Sequence, residues 1–194
     1  ILFFDNEKLL NLFNLKGKIF NTPFTFNYNN RLDSTQYKKI NFRSKLLKLN
    51  ISNTTTKEKS ITKGKNDIKF TNSTISTKYN KKDKIITFES DQSSRLDNSL
   101  VTYAGELSIN PFDLNLKIYL DNYKVSKIFH INPVLIEFIK SGLLFNDNIS
   151  LNTSLNINSK TKNVIFNNGE VLFNIINGKI NLDKTSFTND DIGT

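Results

Sequence analysis

Hydrophobic residues alternate with polar ones over much of this 194-residue chain, most cleanly on either side of residues 123–141. Leu114, Leu116, Ile118 and Leu120 point one way, and so do Ile149, Leu151, Leu155 and Ile157. A period of two predicts a sheet with one apolar face. Between the two segments, Asn132-Pro133 fits an N-cap followed by proline at the first helical position. Leu135, Ile136, Phe138 and Ile139 then recur at helical spacing, and Gly142 is placed to terminate the run. Val125, Ile128 and Phe129 predict a shorter turn of helix before a bend at Asn132. A helix apolar on one side must pack against the sheet or cover an end of it; Leu135, Phe138 and Ile139 are the expected plug or end cover.

The rest of the chain repeats the strand theme. Asp5–Phe13 has the facing of a short helix through Leu9, Leu10 and Phe13, and is also short enough to be a loop. Leu15–Ile19, a turn at Asn21-Thr22-Pro23, and alternating Phe24, Phe26 and Tyr28 predict a hairpin. Ile40, Phe42, Leu47, Leu49 and Ile51 predict one longer strand, and the slip in alternation at Leu46-Leu47 predicts a β-bulge. Ser52–Lys65 reads as a polar loop, Asp67–Tyr79 and Lys84–Glu89 as strands joined at Asn80–Asp83, and Val101–Ile109 as a strand ended by Asn110-Pro111. After Val164–Phe166, the residues Val171, Phe173 and Ile175 precede Asn177-Gly178, and Ile180 and Leu182 follow. Asn-Gly predicts either a tight hairpin or a glycine bulge in a bending strand. The expected fold is mainly β: an elongated, curled antiparallel sheet, groove-like or taco-like, of about ten strands, interrupted by one amphipathic helical segment at about 123–142.

Composition narrows the function classes. The net charge is +9, from 27 Lys and Arg against 18 Asp and Glu, which raises nucleic acid or an anionic membrane as partners. The lysines, however, are scattered along strands and turns, which favours a solvated surface. Phe is abundant, with 16 residues, but occupies the same alternating positions as Ile and Leu. That places it on the apolar face, whereas a stacking platform for single strands would set aromatics beside Lys on the wet face. No nucleic acid is expected. Cys is absent, which excludes disulfides and thiolate metal sites. The chain starts Ile-Leu-Phe-Phe and has no Met, which leads us to expect a segment of a larger protein, 1–194 forming a single β-rich piece. Neither a signal peptide nor a transmembrane stretch is legible within it.

Catalytic chemistry is not legible either. His130 is the only histidine, so no paired or metal-binding His arrangement can form. Asp190-Asp191, Asp147 and Asp5 fall in polar turns, where Asp is favoured for turn geometry. The seven glycines never cluster into a phosphate-cradling loop. Asn53-Thr54-Thr55, Asn72-Ser73-Thr74 and Asn152-Thr153-Ser154 match the glycosylation pattern, as an Asn-rich chain does by chance. No enzyme activity, metal or cofactor is expected.

The run LSINPFDLNLKIYLDNYKVSKIFHINPVLIEFIKSGLLFNDNISLNTSLNI (107–157) and the run VLFNIINGKINLDKTSF (171–187) resemble the C-terminal part of AsmA-like proteins, relatives of TamB and YhdP in Gram-negative envelopes. The features carrying the resemblance are the alternating strands, the interrupting helical stretch, the Gly142–Leu144 exit into a new strand, and the Phe173–Leu182 segment. The first half resembles the family only in strand rhythm. The resemblance implies an elongated sheet curled into a groove, an inner-membrane anchor outside this segment, a periplasmic location, and carriage of phospholipid towards the outer membrane. On the residues' side, Leu114, Leu116, Ile118, Leu120, Ile149, Leu151, Leu155, Ile157, Phe173, Ile175, Ile180 and Leu182 are the expected lining for phospholipid acyl chains. The same residues could equally close a β-sandwich core, making a structural or adhesive surface module without a groove.

Overall fold

The computed structural model describes residues 2–5, 9–19, 21–32, 36–126, 147–159, 165–182 and 184–189. They fall into two compact units, Ile1–Asn98 and Ser99–Thr194.

The first unit is an antiparallel meander in which each strand pairs with the next. Its strands are β1 (Leu2–Asp5), β2 (Leu10–Ile19), β3 (Thr22–Arg31), β4 (Lys38–Ser44), β5 (Leu49–Glu58), β6 (Ile61–Phe70), β7 (Ser73–Lys82) and β8 (Ile85–Ser90), and the short β9 (Arg95–Leu96) bridges to β7. Because register partners share a sheet face, the pairings assign sides. Phe13, Tyr28, Ile40 and Asn53 fall in one row of the apolar side, and Phe26, Phe42, Ile51, Ile68 and Ile75 in the next. Phe24 stacks on Phe42 at 5.5 Å and Phe13 meets Phe26 edge-on at 6.1 Å.

Several expectations give way here. Asp5–Phe13 is not a helix: Asp5 ends β1, Leu10 opens β2, and Leu9 sits at φ 47° between them. Leu46-Leu47 is not a bulge but part of the 45–48 turn, since Ser44 pairs with Leu49. The polar stretch Ser52–Lys65 is not a loop but most of the β5–β6 hairpin, and Asp67–Tyr79 divides at 71–72 into β6 and β7. Strands rich in Thr, Asn and Lys escape an apolar-alternation reading because their ladder hydrogen bonds, and not buried side chains, hold them in place.

The second unit contains β10 (Ser99–Ile109), β11 (Phe112–Asp121), β12 (Ile149–Asn158), β13 (Asn168–Ile176), β14 (Lys179–Asn181) and β15 (Ser186–Thr188). All pairings are antiparallel except β11 with β12, which run parallel. The expectation of an antiparallel sheet is corrected at that point. A parallel pair needs a crossover connection of about a dozen residues or more, and 122–148 supplies it. Helical geometry among the described residues is confined to 125–126. The expected helix, with Leu135, Phe138, Ile139 and His130, lies outside the described residues, as do Asp190 and Asp191. Asn177-Gly178 resolves as a hairpin turn and not a bulge, with φ 51° and 69°, joining Ile176 to its partner Lys179.

Candidate functional site: the apolar face of the second unit

Register carries one apolar surface across β10, β11, β12, β13 and β14. Val101 opposes Leu120, Leu120 opposes Ile157, Ile157 opposes Gly169, and Gly169 opposes Phe187 of β15. The next rows are Tyr103–Ile118–Leu155–Val171, Gly105–Leu116–Thr153–Phe173, Leu107–Leu114–Leu151–Ile175–Ile180 and Ile109–Phe112–Ile149. Eleven of the twelve expected lining residues therefore occupy one side of the sheet. Leu182 is the exception: it follows β14, is exposed, and its carbonyl accepts the N–H of Thr185 at 3.0 Å.

The rows differ in exposure, and the difference follows their position along the strands. At the Val101 end the face is closed, with Val101 and Leu120 each 4% and Ile157 3% exposed. Val125, 1% exposed, reaches over Gly169, where an added Cβ would stand 3.6 Å from its Cγ1. The Phe187 ring also covers Gly169, and Phe166 packs against that ring at 5.7 Å. Leu114, Leu116, Ile118, Ile149, Leu151, Leu155 and Phe173 are half-buried. At the far end Ile109 and Phe112 are exposed, and on the β14 edge of the preceding row Ile180 lies open while its partner Ile175 is fully buried.

The reverse side is polar. Asn115, Asn152, Asn174 and Asn181 align across four strands, and the Asn152 amide donates to Asn115 Oδ1 at 3.1 Å. This asparagine row was not anticipated, because its members come from four separated segments and only the register aligns them. The charge arrangement on the polar side of the first unit was missed for the same reason. Lys65 Nζ lies 3.5 Å from Asp67 and 3.7 Å from Asp91, and Lys78 Nζ 3.3 Å from Asp91. Asp67 accepts the Ser76 hydroxyl, and the buried Ser94 hydroxyl accepts from the Ser76 N–H and donates to the Ser76 carbonyl, each at 2.9 Å. The Asp91 carboxyl is held below its ordinary range, first by the Ser93 N–H and then by Lys78 and Lys65.

Among the described residues no group of three or more His, Cys, Asp and Glu is gathered to hold a metal ion, and no helix is long and apolar enough to cross a membrane. The chain matches no model of a known family, no curated protein and no solved structure, so its resemblance to AsmA-like proteins rests on the residue pattern alone.

Proposed function

We propose that this chain is a non-enzymatic lipid-binding segment of an AsmA-like envelope protein, which shields phospholipid acyl chains on an apolar β surface for transfer between inner and outer membranes. The observation that supports this reading is the continuous apolar face of five strands whose middle rows stay half-open. Leu114, Leu116, Ile118, Leu151, Leu155 and Phe173 offer acyl chains a dry surface, while the asparagine-rich reverse side faces water. Burial contributes about 0.8 kcal/mol per methylene, so acyl chains bind without a polar contact to fix them. The closed Val101–Leu120–Ile157 row would end the groove, and Ile109, Phe112 and Ile180 would form its mouth. In the same reading, the segment sits in the periplasm of a protein anchored to the inner membrane outside these residues.

One observation favours the alternative, a structural or adhesive module. The Val101 row is packed as a core is packed, with its glycine filled by an aromatic ring. Native mass spectrometry of the purified chain separates the two. Bound phospholipid is expected, and Leu116→Arg or Leu151→Arg should abolish it without loss of β-sheet circular dichroism. A wild-type chain that carries no phospholipid, or folded variants that carry it unchanged, would reject the conduit.

A further inference from the structure

Charge is divided unevenly along the chain. Residues 1–98 carry 19 Lys and Arg against nine Asp and Glu, and residues 99–194 carry eight against nine, so the basic balance belongs to the first unit. Lys63, Lys65 and Lys78 there are paired with Glu58, Asp67 and Asp91. Lys16, Lys18, Arg43 and Lys45 have no carboxylate partner among the described residues. These four line a recess of about 550 Å³ together with Pro23 and Thr25. The sheet brings them together: Thr25 is the register partner of both Lys16 and Arg43, and Pro23 that of Lys18.

Beside the recess is the turn Lys45-Leu46-Leu47-Lys48, with Leu46 66% and Leu47 46% exposed. The turn is anchored to the sheet. Ser44, 1% exposed, donates its hydroxyl to the Pro23 carbonyl at 3.0 Å and accepts the Leu47 N–H at 3.4 Å. The Thr71 N–H donates to the Lys48 carbonyl at 3.4 Å, which sets the next turn, with Phe70 half-exposed, alongside. A fixed tip thus presents Leu46, Leu47 and Phe70 to solvent beside Lys16, Lys18, Arg43, Lys45 and Lys48, none of which has a carboxylate partner among the described residues.

We infer that this end of the first unit docks on an anionic lipid surface. Leu46, Leu47 and Phe70 enter the headgroup layer, and Lys16, Lys18, Arg43, Lys45 and Lys48 engage lipid phosphates. Apolar side chains at a tip gain from an interface that has an apolar layer beneath a charged one, and long cationic side chains reach the charged layer from there. A nucleic acid would answer the cations and leave the two leucines in water. The docking does not depend on acyl chains occupying the second unit. A chain that sediments with vesicles yet carries no lipid sinks only the conduit, and the converse result sinks only the docking.

The test is co-sedimentation of the 194-residue chain with phosphatidylcholine vesicles, with and without phosphatidylglycerol. Binding is expected only with phosphatidylglycerol present. Each neutralised cation should weaken it roughly fivefold, so K18Q/R43Q/K45Q should weaken it about a hundredfold. L46S/L47S should remove the binding that survives high salt. K59Q/K82Q/K84Q, in turns and strand ends at the opposite end of the same strands, should bind as the wild type does. Equal weakening in that control, indifference to L46S/L47S, or displacement of the vesicles by a short oligonucleotide with no salt-resistant fraction would overturn the inference.

Discussion

The Tyr79 ring lies across Gly64, its register partner on β6, and its hydroxyl accepts an N–H from the Asn53 amide on β5 at 2.9 Å. The same amide donates to Asn66 Oδ1 at 2.6 Å. Tyr79 reaches two strands away only because the strand between them carries no side chain at that point. Gly17 with Phe24 and Gly169 with Phe187 repeat the relationship, an added Cβ falling 3.1 Å and 3.0 Å from the facing ring. In each pair an aromatic ring fills the place a glycine leaves empty on the apolar side.

Gly64→Ala would drive a methyl group into the Tyr79 ring. A loss of about 1–3 kcal/mol is expected from overpacking, read as a lower urea midpoint. Gly64→Ala/Tyr79→Ala should recover part of it, since the double variant removes the collision. If the single variant proves as stable as the wild type, the ring does not lie over Gly64.

Tyr79→Phe keeps the ring and removes the hydroxyl. Asn53 then loses one of two acceptors, at a cost of about 1 kcal/mol. Asn66→Ala in the Tyr79→Phe background should cost more than Asn66→Ala alone, because the Asn53 amide is then left with neither partner. Additive losses in the two-variant cycle would argue against a shared amide.

Asp91 carries the pH dependence. Its carboxyl titrates below its ordinary value of 3.8 in the folded chain, held there by the Ser93 N–H, Lys78 and Lys65. The depressed value means that the unfolded chain takes up this proton first as pH falls. The stabilisation is therefore present above the unfolded value and is lost as pH falls through the folded one. Thermal melts should show Asp91→Asn destabilised relative to wild type at neutral pH, the gap narrowing below about pH 4. A gap that stays constant into the acid range would exclude the carboxylate as its source.

Ile175 and Ile180 are register partners with opposite surroundings, fully buried against 38% exposed. Ile175→Ala should cost about 2–5 kcal/mol, as core truncations do, and Ile180→Ala clearly less. Equal losses would mean that the β14 edge is as closed as β13. If the mouth of the face receives acyl chains, Ile180→Ala should also weaken lipid retention more than it weakens stability.

The Asn177-Gly178 turn holds both residues in the left-handed region, where a Cβ costs about 1–2 kcal/mol. Gly178→Ala should lower stability by about that amount and speed amide exchange in the β13–β14 hairpin before the rest of the unit. Uniform exchange across the unit would show that the turn does not limit the hairpin locally.

How legible the chain was depended on whether a segment hides a face. Leu114–Leu120 and Ile149–Ile157 bury one side, so their alternation was readable and both strands stand where the pattern put them. The β5–β6 hairpin keeps Thr, Asn and Lys on much of both sides, and without an apolar alternation its strands read as a loop. Leu46 and Leu47 broke the period because they sit in a turn, a cause that alternation alone cannot tell from a bulge. The lysines looked scattered in the linear order, but register gathers Lys16, Lys18, Arg43 and Lys45 around one recess.

By itself, then, the sequence determined that this is a β protein, which residues share the apolar side within each alternating strand, and that Asn177-Gly178 reverses or bends the chain. These are local matters, set by a two-residue side-chain period and by the φ angles that particular residues tolerate. Only the tertiary structure decided the parallel pairing of β11 with β12, the closure of the Val101 row against the openness at Phe112, and the meeting of Tyr79 with Asn53 over Gly64. Those depend on which strands lie side by side and in which register, and pairing between distant segments leaves no periodic trace in either one.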